Sequence, residues 1–178
     1  MLKMIKNSRQ LSQYKQQGAA AVEFAIIALI LFTLLFAILE FGRMFYVFNT
    51  VQEVTRHAAR EAVVRWVDNS STSPAKTLAL FGRTAMPAGA EITTNNINIE
   101  YLETATGSAI PSGNMPPSAS DNIAACLDPA SIYDCIAYVR VSITGATYAP
   151  MVSLFPYLGV PIPASTVTMP AESMGYSG

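Results

Sequence analysis

The chain has 178 residues, of which 51% are hydrophobic and 13% charged, with a formal net charge of -1. Soluble domains carry about 25% charge, so this composition points to a membrane segment, a sparsely charged surface, or both. From Glu91 onward Arg140 is the one base against seven acids, a poor match for nucleic-acid backbones. Two cysteines and one histidine are too few for a four-ligand zinc site without carboxylates, so no metal or other cofactor is expected.

Residues 1–18 form a polar leader with Lys3, Lys6, Arg9 and Lys15 and no acid. Apolar character begins abruptly at Ala19 and runs to Leu39, interrupted by Glu23 and Thr33, with Glu40 next. At about 1.5 Å per residue such a run is a little over 30 Å of helix, enough to cross a bilayer core. Bases before residues 19–40 place the N-terminus in the cytoplasm and the C-terminal part outside. A cleaved secretory signal would need a small-x-small site after the run, whereas LEFGRMFYVF follows.

The helical pattern continues over residues 41–67. Val47, Val51, Val54, Ala58 and Ala62 make one apolar stripe, and Glu61–Arg65 and Glu53–His57 are spaced i, i+4 on the other faces. One helix from Ala19 to near Trp66 is expected, half in lipid and half supporting a small domain at 68–178. In that domain Ala75–Ala85 reads as a short helix, Ile97–Tyr101 as a strand and 104–121 as loop. Residues 136–148 form the clearest strand; 164–172 form a last one that Pro170 confines to an edge or ends. The fold class is α+β with a few antiparallel strands.

Cys126 and Cys135 stand in what reads as a polar loop. In an oxidising compartment they form a local disulfide; the alternative is two unpaired thiols. Glu23 is an acid at the fifth position of an apolar helix. Either it pairs with a free ammonium at Ala19, of its own or a neighbouring chain, or it merely snorkels to the membrane border. His57, among Arg56, Arg60 and Glu61, reads as part of a solvated helix face; no nucleophile or second histidine can be named with it. Tyr138, Tyr148, Phe155 and Tyr157 are expected in the core, with an adhesive surface as the alternative.

Residues 17–65 combine a glycine, small residues, Glu23-Phe24, an apolar span, Glu40-Phe41-Gly42-Arg43 and a helix ending in Ala-Ala-Arg-x-Ala. This combination resembles the N-terminal signature of the TadE-like (TadE and TadF) minor pseudopilins of the Flp/Tad tight-adherence pilus system. The resemblance implies cleavage between Gly18 and Ala19 by a prepilin peptidase at the cytoplasmic face of a bacterial inner membrane. It makes Glu23, with Phe24, a determinant of processing or assembly, and Glu40, Gly42 and Arg43 a post-membrane motif. It implies other pilins and the Tad machinery as partners, with no nucleic acid and no small-molecule substrate. The expected role is structural, not enzymatic: assembly of a pilus for adhesion and biofilm formation. The rivals are an unprocessed, membrane-anchored extracytoplasmic binding module and a tethered periplasmic enzyme.

Overall fold

The computed structural model describes residues 2–131, 134–152, 157, 159–172 and 174–175, with side chains from Gly18 onward except at position 90. Two compact units result, Met1–Gly42 and Arg43–Gly178. A single helix, α1 (Leu2–Val63), runs through both. It begins well before the expected Ala19. Residues 2–17 contain neither glycine nor proline, and Lys, Arg, Gln and Leu are good helix formers. The side chains of Lys3, Lys6, Arg9 and Lys15 lie outside the described residues.

In the first unit α1 is long and apolar enough to cross a membrane, and none of its most apolar window is buried. Phe24 is 73% exposed and Leu29 65%, so this stretch needs an apolar surrounding that the described residues do not supply.

In the second unit the predicted stripe is the core. Val47, Val51, Val54, Ala58 and Ala62 are each at most 2% exposed. These side chains share one hydrophobic core with a three-stranded antiparallel sheet of order β3-β4-β5. Its strands are β3 (Ile97–Glu103), β4 (Ile136–Ile143) and β5 (Ser165–Pro170). Ile97, Ile99 and Tyr101 of β3 and Val139, Val141 and Ile143 of β4 face the helix in alternation. In register, Ile99 stands opposite Val141 and Val141 opposite Val167. Pro170 ends β5, which is an edge strand. β4 stops at Ile143, short of the expected 148, because Gly145 turns the chain with φ 73°.

Three local expectations need correction. The helix expected over Ala75–Ala85 is only α2 (Pro74–Ala79). It closes in a Schellman motif: Gly82 N–H donates to Thr77 O (2.8 Å), Phe81 N–H to Leu78 O (3.0 Å). Phe81 occupies the left-handed position at φ 60°.

The residues beyond form a hairpin of β1 (Ala85–Met86) and β2 (Gly89–Thr93). Its turn is Pro87-Ala88, with Ala88 at φ 55° where glycine or asparagine is usual. A 3-10 turn, Thr94–Asn96, leads from β2 into β3. Gly89 leaves room for Met86 and α1: a Cβ there would collide with Met86 Cε and stand 3.2 Å from Val47 Cγ2.

Finally, Cys126 lies in a helix, α3 (Ala119–Leu127), not in a loop. Ser118 caps α3, its hydroxyl accepting from Asp121 N–H at 3.2 Å.

Cys126 and Cys135 are disulfide-bonded, with Cα atoms 4.8 Å apart, and join the last turn of α3 to the start of β4. Buried Asn122 makes the same junction by accepting from Ile136 N–H at 2.8 Å. Replacing both cysteines with serine is expected to lower unfolding stability by about 2–3 kcal/mol, since the closed loop is short. Urea unfolding checks this, and an unchanged midpoint would show that Asn122 alone holds the junction.

Candidate functional site

Besides the disulfide, the residues that sequence reasoning singled out as sites fall into two places, and the structure adds a third. Gly18, Ala19, Glu23 and Phe24 stand on α1 in the first unit, all exposed. Ala19 and Glu23 are one helical turn apart and so share a face. No atom lies within 4 Å of a Cβ built at Gly18 or Gly42, so neither glycine is required by crowding among the described residues. Glu40 is 3% exposed although it ends the apolar run.

Arg43 is the first residue of the second unit, and its role becomes visible only in the fold. The guanidinium is shared among three elements. Nε donates to Ala88 O in the β1–β2 turn at 3.1 Å, and Nη1 donates to Ala149 O at 2.9 Å. Nη2 donates to Glu91 Oε1 on β2 at 2.5 Å, in an ion pair whose side chains are 16% and 9% exposed. Glu91 Oε1 also accepts from Ala149 N–H at 3.1 Å.

Above the fork lies Tyr148, fully buried, with its ring centroid 4.7 Å from Arg43 Cζ and edge-on to Phe48. Burial by itself would lower the Arg43 pKa; hydrogen bonding and charge from Glu91, with Tyr148, outweigh it and raise it. A planar fork with several donors suits this arrangement, and lysine could not reproduce it. Next to it, Tyr46 Oη donates to Pro87 O at 3.4 Å. The sequence flagged Arg43 only through the resemblance; its partners Ala88, Glu91, Tyr148 and Ala149 carry no local signal.

The third place is the far end of the domain, where α1 stops. A cleft of about 380 Å³ there is lined by Trp66, Asp68, Ser73 and Tyr101. Tyr101 in its lining and Lys76, next to Ala75 of the lining, are engaged by the backbone of the loop that ends α1. Tyr101 Oη accepts from Asp68 N–H at 3.1 Å, and Lys76 Nζ donates to Asn69 O at 2.8 Å. Burial pushes the Tyr101 pKa up, against the hydrogen bond from Asp68 N–H and with the charge of Asp68; burial pushes the Lys76 pKa down, against that same charge. Both groups hold a turn in place. His57 is exposed on α1, and Glu61 pairs with Arg65 at 3.0 Å as the spacing predicted. Of the four late aromatics, Tyr148 is core, whereas Tyr138 and Tyr157 are 40% and 95% exposed. Phe155 lies outside the described residues.

Residues 18–60 match the model of the family described as TadE-like protein. This segment of the chain is therefore TadE-like, as the pattern over 17–65 led one to expect. No curated protein and no solved structure matches the chain.

Proposed function

We propose that this chain is a membrane-anchored minor pilin or pseudopilin that takes part in assembling a Flp/Tad-type pilus for adhesion and biofilm formation. The observation that carries this reading is the TadE-like match over 18–60, which begins at Gly18 and takes in the whole exposed apolar stretch of α1. In this reading α1 holds the subunit in a bacterial inner membrane with its N-terminus cytoplasmic. A prepilin peptidase cuts between Gly18 and Ala19. The cut removes Lys3, Lys6, Arg9 and Lys15, which retain the leader on the cytoplasmic side.

The same cut creates an ammonium at Ala19, one helical turn from Glu23. In an apolar surrounding each charge is costly alone and tolerable as a pair. The helix can then leave lipid and pack against the helices of other pilins. The domain beyond Arg43 is carried on this helix and contributes structure and contacts rather than catalysis.

The mass and N-terminal sequence of the protein purified from its host membranes test this. A mature start at Ala19 is expected. A start at Met1 would overturn processing and leave an anchored binding module. A Gly18→Leu variant is expected to remain uncut, because the peptidase site accepts a small residue there; unchanged cleavage would move the site elsewhere.

A further inference from the structure

The two edges of the three-stranded sheet differ. Along the outer edge of β3 the chain covers its own backbone. Ile99 N–H donates to Asn69 Oδ1 at 3.2 Å, Ile110 N–H to Tyr101 O at 2.8 Å and Glu103 N–H to Ser108 O at 3.0 Å. β5 is open. Ala171 N–H donates to Ala137 O, which sets the phase of the β4–β5 ladder. Ser165, Val167 and Met169 therefore bond to β4, while Thr166, Thr168 and Pro170 turn their backbone groups outward. Among the described residues nothing hydrogen-bonds the outward N–H or C=O of Thr166 or Thr168.

An open edge is usually blunted by a lysine, an inward charge or a bulge. β5 carries no charge, and its register on β4 is continuous from Ser165 to Pro170. Pro170 closes only the far end.

Beside this edge, a groove of about 380 Å³ is lined by Phe48, Gln52 and Arg56 of α1 and by residues 163–167. Val167 and Met169 pack on the core from the face of β5 that meets α1. A strand added to β5 would send alternate side chains to that same face, and so into the groove.

Charge says what those side chains are. Among the described residues that line the groove, Arg56 alone is charged. Arg60 follows one turn later, exposed on the same stripe of α1. β5 runs in the same sense, since Glu172, just past its end, donates its N–H to Val63 O at 3.3 Å. Among the described residues neither arginine has an ion-pair or hydrogen-bond partner. The neighbouring acids are placed elsewhere: Glu61 pairs with Arg65, and Glu53 lines a different cleft with His57 and Phe81. Four residues of helix rise about 6 Å, and alternate residues of a strand stand about 6.6 Å apart. Acids at alternate positions of an added strand thus match Arg56 and Arg60 in spacing as well as in sign.

We propose that the open edge of β5 is a docking site for an extended acidic segment of a partner protein. The segment adds to the sheet as a fourth strand and sets its carboxylates against Arg56 and Arg60. The surface lies wholly in the second unit, so the proposal depends neither on the membrane reading of α1 nor on cleavage at Gly18.

The test is fluorescence anisotropy with the full chain in detergent. The probes are a labelled heptapeptide, Val-Thr-Glu-Thr-Glu-Thr-Val, and its counterpart with glutamine in place of glutamate. Saturable binding of the glutamate peptide is expected, with the glutamine peptide several-fold weaker. Combining Arg56→Gln with Arg60→Gln should remove that difference; both side chains are exposed, so the fold is not at stake. Thr168→Pro removes an outward N–H and leaves the ladder to β4 intact, and it should abolish binding. N-methylation of alternate peptide amides should do the same with the protein unchanged. Equal binding of the two peptides would overturn the acidic partner. Binding that survives both Thr168→Pro and N-methylation would overturn strand addition, and no saturable binding of either peptide would overturn the docking site. A dimer that Thr168→Pro dissociates and the glutamate peptide does not would assign the edge to a second copy and overturn the proposal.

Discussion

Replacing Arg43 with alanine is expected to destabilise the second unit by about 3–5 kcal/mol, the range seen when one partner of a buried ion pair is removed. The substitution leaves the Glu91 carboxylate in a site where its side chain is 9% exposed. It also strips donors from the carbonyls of Ala88 and Ala149 and a cation from the face of Tyr148. Arg43→Lys should recover only part of the loss, because one ammonium cannot span three elements. Combining Arg43→Met with Glu91→Gln should cost less than Arg43→Ala, since no charge is then stranded. Urea unfolding of the full chain in detergent, followed by Trp66 fluorescence, measures all three. A loss below about 1 kcal/mol for Arg43→Ala would class the contact with exposed ion pairs and remove its structural role.

Glu23→Ala is expected to leave membrane insertion intact and to abolish piliation. Insertion depends on the apolar run, which the substitution makes more apolar. Assembly in the proposed function depends on a partner for the ammonium at Ala19, and that is the one interaction lost. Resistance to carbonate extraction and pilus counts by electron microscopy separate the two effects. Normal piliation by the variant would end the charge-pair account, and loss of insertion would show that Glu23 acts earlier.

The long helix and its buried stripe were legible because their signals are periodic and local. Val47 through Ala62 recur at helical spacing, and Val139, Val141 and Ile143 alternate as a half-buried strand must. Elements closed by unusual residues were not. Ala88 holds a positive φ without being glycine, so nothing announced the β1–β2 hairpin, and Phe81 ended α2 early in the same way. Ser118 and Asp121 do mark the start of α3 as a cap, but they stand at the end of a stretch rich in proline and serine that reads as continuous loop. Of the candidate site, the one-turn spacing of Ala19 and Glu23 follows from the sequence alone. The work of Arg43 does not, because its partners stand 45 to 106 positions away.

The continuity of α1 across Gly18–Ala19 bears on timing. In a helix the Gly18 carbonyl is engaged by the amide four residues on, so the bond that the proposed function has cut is sheltered until that turn opens. Glycine disfavours helix by about 1 kcal/mol relative to alanine, which makes this turn easier to open than its alanine neighbours. Opening of a free helix takes on the order of a microsecond, far less than the time a ribosome needs to add one residue at about 5–20 per second. Sheltering therefore would not slow the proposed maturation, but it would make it conditional. Under the proposed cleavage, any surface or partner that keeps residues 2–18 wound would act as a reversible brake on release of the subunit, and one that unwinds them would set the moment of cutting.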